Sequence, residues 1–143
     1  MLLGLLSGAA PFLCDLSRCI RLEISIDFLR ASSYYSGTQS SGSVKIQQDS
    51  KLSVKGKNVI IVDDVADSGI TLDAVVKYIK GLNPLSVKTC VFLDKPGGRR
   101  IPFSANYSAL KAGGEFVIGY GMDYKERFCN LPFVAVLKES VYS

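Results

Sequence analysis

The chain has 143 residues, 48% of them apolar, with 17 basic and 13 acidic side chains and a formal net charge of +4. That is about one domain with enough apolar material for a core. It contains no histidine, and its cysteines form no CxxC pair, which excludes a histidine-dependent triad and a zinc site. The basic excess favours anionic partners, but no long Lys/Arg run is present, so phosphorylated small molecules fit it at least as well as nucleic acid. Scattered thiols point to a reducing, cytoplasmic setting.

The opening "MLLGLLSGAAPFLC" pairs an apolar run with small residues, as a signal-peptide core does, yet no basic residue precedes it. It reads instead as a buried strand, "LLGLL", entering a turn, "SGAAP". A helix follows Pro11 and carries Phe12, Leu13 and Leu16. No segment approaches the ~20 apolar residues of a membrane span, so no membrane partner is expected. A second strand is predicted over 22–27. Residues 31–42, "ASSYYSGTQSSG", are too polar to pack and are expected to form a mobile loop, either a hairpin connection or a lid over a ligand.

From Lys57 onward the pattern becomes regular. An apolar run over 59–62 is followed by a helix predicted over 71–81, whose Leu72, Val75, Val76, Ile79 and Leu82 form one stripe before the stop signal Asn83-Pro84. A second apolar run covers 87–93. This is a βαβ unit, and uninterrupted apolar runs mark central strands of a parallel sheet covered on both faces. Further strands are predicted over 116–120 and 133–137. The whole reads as one α/β domain over 1–143, a parallel twisted sheet flanked by helices.

The stretch "VIIVDDVADSGITL" sets Asp63, Asp64 and Asp67 at the end of the most apolar strand. Ligands of open parallel sheets bind beyond the carboxyl ends of the strands. The segment "DSGIT" then leads into a helix start, where free N–H groups attract an anion. Gly69 allows close backbone approach, Ser68 and Thr71 offer hydroxyls, and Ile70 lies between them. The pattern is neither a Walker loop nor a dinucleotide fingerprint. Asp63 and Asp64 suit paired sugar hydroxyls or a divalent cation. The plainer alternative makes Asp67 or Ser68 a helix cap and the other acids solvated charges.

This stretch resembles the phosphoribosyl-diphosphate (PRPP) binding motif of type I phosphoribosyltransferases: two acidic residues, then D-[ST]-G-x-T after an apolar strand. The rest of the chain resembles the hypoxanthine-guanine branch. "DFLRASSYYSGTQSSG" is similar to its flexible loop, with Ser33-Tyr34 as the Ser-Tyr pair. "VFLDK" is similar to the strand ending in the purine-reading lysine, here Lys95, and "EFVIGYGMDYKERFCNLPFVAVL" to the base-binding segment.

The resemblance implies purine salvage: a 6-oxopurine base (hypoxanthine or guanine) displaces pyrophosphate from PRPP with Mg2+ assistance, giving IMP or GMP. It assigns the proton at purine N7 to Asp67, the ribose hydroxyls to Asp63 and Asp64, and the 5'-phosphate to Ser68, Gly69, Ile70 and Thr71. Lys95 would donate to purine O6, Phe116 would stack on the base, and Val117 would present backbone groups to the ring edge. Asp123 would ligate magnesium. A homodimer or homotetramer is the implied assembly.

Several positions depart from the family pattern. The pyrophosphate loop normally reads L-K-G-[GA], whereas Ser7 stands for its lysine before Gly8. Cys129 stands where an arginine also faces pyrophosphate, Arg127 would point elsewhere on an extended segment, and Asp63 replaces a usual glutamate. The family's amino-terminal helix and strand precede the first strand seen here, so an incomplete hood is expected. The alternative function is a noncatalytic PRPP- or nucleotide-binding paralogue; an enzyme for another base, such as xanthine, changes only the pocket.

Overall fold

The computed structural model describes residues 1–33, 44–47 and 53–142. Its main sheet has six strands in the order β3-β2-β1-β4-β5-β6: β1 (Leu2–Leu6), β2 (Ile26–Ser33), β3 (Val44–Gln47), β4 (Asn58–Ala66), β5 (Ser86–Asp94) and β6 (Tyr107–Lys111). Helix α1 (Ala10–Cys19) links β1 to β2, and α2 (Ile70–Lys80) links β4 to β5. All pairs are parallel except β2 with β3. A separate antiparallel pair, β7 (Val117–Ile118) and β8 (Ala135–Val136), precedes a short helix, α3 (Glu139–Tyr142).

The continuous apolar runs exist because each central strand feeds two cores. From β4, Val59 and Ile61 enter one cluster with Leu3 and Leu5 of β1, Val91 of β5 and Leu72, Val75 and Ile79 of α2. Ile60 and Val62 enter the other, with Leu2, Cys90, Phe12 and Leu13. The two helices therefore cover opposite faces. Gly4 is what lets α1 settle, since a Cβ there would lie 2.6 Å from Leu13 Cδ1.

The loops after β1 and β4 thus leave the sheet toward opposite faces, and a crevice opens between them, the usual ligand position in such sheets. Register deepens it. β1 pairs with β4 only as far as Gly4 with Val62, whereas β5 follows β4 through Asp63 with Val91 to Ala66 with Asp94. The strand predicted to stop at Val62 consequently runs four residues further. Asp63 and Asp64 lie on a strand whose β1 side is open, not in a loop.

Other boundaries also move. The strand expected over 22–27 lies at Ile26–Ser33, because Leu22 is 77% exposed while Leu29 is buried. The strands expected over 116–120 and 133–137 shrink to Val117–Ile118 and Ala135–Val136. Ala31, Ser32 and Ser33, expected in the loop, belong to β2, whose end pairs with β3; residues 34–42, Tyr34 included, lie outside the described residues. Among the described residues no helix is long and apolar enough to cross a membrane, and Cys14, Cys19, Cys90 and Cys129 are all free.

Thr89, buried on β5, anchors the long excursion from Lys95 to Asn106. Its N–H donates to Asn106 Oδ1 at 2.8 Å, and Asn106 N–H donates to Thr89 Oγ1 at 3.1 Å. Thr89→Val keeps the shape but strands a partly buried donor. We expect a loss of about 1–3 kcal/mol, read as a lower urea midpoint with an unchanged slope.

Candidate active site

Two adjoining cavities occupy the crevice. The larger, 340 Å³, is lined by Ser7, Gly8, Asp63, Asp64, Asp67, Ser68, Gly69, Thr71 and Asp123, together with Ala31 and Leu72. The smaller, 240 Å³, is lined by Lys95, Phe116, Val117 and Met122, and shares Asp64, Val65, Asp67 and Asp123 with the first. Of the predicted site residues whose side chains the structure describes, all line one of them except Ile70, the first residue of α2; Ser33 ends β2, and Tyr34 lies outside the described residues.

The turn into α2 has cradle geometry. Gly69 is its N-cap, with φ of 83°, and a Cβ there would come 2.7 Å from Phe103 Cβ, so a larger residue meets both strain and a clash. Ser68 Oγ accepts from Ile70 N–H at 3.3 Å, so the capping alternative holds for Ser68 in part. It does not hold for Asp67, whose Oδ1 lies against Gly98, 1.5 Å from where a Cβ would stand. That carboxylate faces the 3-10 turn Pro96–Gly98 and borders both cavities.

Asp63 and Asp64 turn their carboxylates back on the strand, Asp63 Oδ1 accepting from Asp64 N–H at 3.0 Å and Asp64 Oδ1 from Val65 N–H at 2.7 Å. Burial, and then the neighbouring Asp64 charge, push the Asp63 carboxyl well above the ordinary carboxylate range. Asp64 also reaches the first loop: a Cβ on Gly8 would stand 1.9 Å from Asp64 Oδ2. The chain from Gly119 to Leu131 closes the other side. A Cβ on Gly121 would lie 2.1 Å from Gly8 O, Tyr120 N–H donates to Leu131 O, and Gly121 N–H donates to Cys129 O. The Tyr120 hydroxyl donates to Asp15 of α1 at 2.5 Å; burial and that acceptor push it up to about 12.

In the smaller cavity Lys95 Nζ donates to Glu115 O at 2.8 Å. Phe116 meets Tyr124 edge-on, with centroids 5.6 Å apart. Asp123 Oδ2 accepts from Glu126 N–H at 2.7 Å.

A phosphoribosyl transferase domain matches residues 1–125. The chain belongs to that family. It is 44% identical over 143 residues to the hypoxanthine-guanine phosphoribosyltransferase of Streptococcus pneumoniae strain R6, covering all of this chain and 79% of that protein. It is 46% identical to the bifunctional protein TilS/HprT of Listeria innocua, of which it spans 22% of the length. A solved hypoxanthine phosphoribosyltransferase from Staphylococcus aureus superposes with a TM-score of 0.93 at 39% identity, over 99% of this chain and 77% of that one. A Trypanosoma cruzi hypoxanthine phosphoribosyltransferase in a ternary substrates complex does so at 0.92 and 38%, over 99% and 78%. The architecture is thus the type I phosphoribosyltransferase fold.

The two cationic departures from the family pattern differ in weight. Ser7 lines the larger cavity; Cys129 lines neither. Arg127 is not on an extended segment as expected: Tyr124 and Arg127 exchange two backbone hydrogen bonds, of 3.0 and 3.1 Å, in a tight turn, because Lys125 and Glu126 adopt positive φ. Its guanidinium lies over Phe128, 5.7 Å from the ring centroid. Sequence reasoning missed Ala31, Met122, Gly98 and above all Arg99; the glycine pair of "KPGGRR" directly after a strand was the available sign of close approach.

The raised Asp63 carboxyl has a thermodynamic consequence. Its folded form keeps a proton to higher pH than its unfolded form, so stability is lost as pH climbs from the ordinary carboxylate range through the folded value. Asp63→Asn imitates the protonated state. Without ligand, this variant should melt above the parent at neutral pH, with the gap closing as pH falls into the ordinary carboxylate range, as followed by circular dichroism. A constant gap would remove the charge explanation.

Proposed function

We propose that the chain, as one domain over 1–143, transfers the phosphoribosyl group of PRPP to a 6-oxopurine base, hypoxanthine or guanine, releasing pyrophosphate and giving IMP or GMP for purine salvage in the cytoplasm. The observation that carries this reading is the Asp67 carboxylate shared by two cavities, one built as an anion cradle with a sugar-binding acid pair, the other carrying Lys95, Phe116 and Val117. A ligand that spans both has a phosphate at one end, a flat heterocycle at the other and a sugar between. The homology of the relatives supports the same substrates, and a homodimer or homotetramer is the assembly we propose.

Ser68, Gly69, Ile70 and Thr71 hold the 5'-phosphate through backbone N–H groups and hydroxyls. Asp63 and Asp64 accept from the ribose hydroxyls. Lys95 leaves the Glu115 carbonyl to donate to purine O6, Phe116 stacks on the base, and Val117 meets its edge. As the glycosidic carbon becomes cationic, Asp67 takes or positions the proton at purine N7, and no covalent nucleophile is needed. Ser7 and Gly8 face the departing pyrophosphate.

Among the described residues no three His, Cys, Asp or Glu side chains gather into a metal cage. Mg2+ takes one or two carboxylates and completes its shell with water and phosphate oxygens. Asp123, with Asp63 or Asp64 through water, would hold it, and when bound it neutralises charge on the leaving pyrophosphate. The intact cradle and acid set favour a working enzyme over a noncatalytic nucleotide-binding relative.

The test is a radiolabelled-base assay with hypoxanthine, guanine, xanthine and adenine, beside calorimetry with PRPP and magnesium. Asp67→Asn should lower turnover by about 10²- to 10⁴-fold, the usual contribution of a general acid-base group, with PRPP affinity nearly intact. Equal losses in rate and affinity would recast Asp67 as a cradle residue, and ligand binding with no product from any base would favour the noncatalytic reading.

The same assay separates the two missing cations. A charge-assisted contact is worth about 1.5–3 kcal/mol, so Ser7→Lys, inside the cavity, should tighten pyrophosphate by about 10-fold or more. Cys129→Arg, outside it, should add little. Equal pyrophosphate affinity in parent and both variants would show that other groups carry that charge.

A further inference from the structure

Arg99 makes more polar contacts than any side chain lining the two cavities, and it lines neither. Its guanidinium side chain is 14% exposed and forms an ion pair with Asp94. Nη1 donates to Ala66 O at 2.6 Å, to Asp67 O at 2.5 Å and to Lys95 O at 3.3 Å, and Nε donates to Phe103 O at 3.0 Å. These acceptors lie at the ends of two paired strands and on the segments that follow them: Ala66 and Asp67 on one, Asp94, Lys95 and Phe103 on the other. β4 and β5 pair for the last time at Ala66 with Asp94. Beyond that point one chain becomes the cradle with Asp67, and the other becomes the Lys95 turn. Backbone bonds also cross the gap, from Lys95 N–H to Ala66 O at 2.9 Å and from Arg100 N–H to Ser68 O at 3.0 Å.

We infer that Arg99 is a positioning residue that fixes the distance between the phosphate cradle and the purine subsite, and so sets how strongly the two halves of a nucleotide reinforce each other. The inference rests on the function proposed above. Its neighbours extend the same bridge: Arg100 N–H donates to Ser68 O at 3.0 Å, and Phe103, whose ring centre lies 5.6 Å from the guanidinium, backs Gly69. A planar guanidinium can serve carbonyls on both segments and a carboxylate at once. A lysine ammonium is a point charge that cannot span them. A ligand joined through its ribose gains from both subsites only if their spacing is held, and a shift of about 1 Å can cost 10²-fold.

The experiment compares two probes by calorimetry on the parent chain, Arg99→Lys and Arg99→Gln, with melting curves to establish folding. Ribose 5-phosphate fills only the cradle side; GMP fills both. In either variant ribose 5-phosphate should bind within about threefold of the parent while GMP weakens by about 10- to 10²-fold, and kcat/KM for the base should fall more than kcat/KM for PRPP. If Arg99→Gln does not fold, Arg99→Lys carries the comparison. GMP and ribose 5-phosphate weakening equally, or neither changing while only the melting temperature drops, would overturn the inference and leave Arg99 a stabilising residue. If the parent binds neither probe, the proposed function fails and the inference fails with it.

Discussion

Strand β4 has its two edges in different environments beyond Val62, and the site is built from that asymmetry. On one edge β5 continues the ladder to Ala66, so the backbone carrying Asp63 and Asp64 stays as rigid as sheet. On the other edge β1 has already turned away after Leu6, and among the described residues no strand replaces it. A strand with one paired edge and one open edge presents both carboxylates to a cavity from a fixed backbone, preorganised for the ligand proposed above. The penalty falls on Asp63, crowded by burial and by Asp64.

The βαβ unit was legible because both its strands are buried on two faces, and the helical stripe of α2 matches its buried side: Leu72, Val75 and Ile79 are all in the core. Strand β6, "YSALK", was not legible for the opposite reason. It is an edge strand exposed at every position, so no apolar pattern marks it. β7 and β8 are two residues each, and what fixes them is the positive φ of Gly119 and Gly121 rather than side-chain periodicity. The end of β4 was misread because hydropathy says "loop" at Asp63, while hydrogen bonding to β5 says "strand".

The members of the site could be read from the motif and its resemblance; their supports could not. Asp67, Ser68, Gly69 and Lys95 declare themselves by residue type after a strand. Gly8, Gly98 and Gly121 act by what they leave out, giving room to Asp64, to Asp67 and to the Gly8 carbonyl in turn. Arg99 belongs to none of the motifs read from the sequence. Its acceptors are mostly main-chain carbonyls on residues up to 33 positions away, and such contacts leave no trace in local sequence.

Charge distribution adds a last constraint. The chain as a whole carries +4, which draws anions toward it from a distance. Yet among the described residues the larger cavity is lined by Asp63, Asp64, Asp67 and Asp123 and by no lysine or arginine, with Ser7 where the resemblance places a lysine. A phosphoribosyl donor with three phosphate positions would meet carboxylates there unless something cancels them. Backbone N–H groups at the start of α2 can serve the 5'-phosphate, but they point at one end of the ligand only. On the function proposed above, the diphosphate end would meet no lysine in that loop, and divalent cations bound with the ligand would supply that charge. Long-range attraction and local binding would then come from different parts of the molecule, the basic surface and the acid-lined crevice.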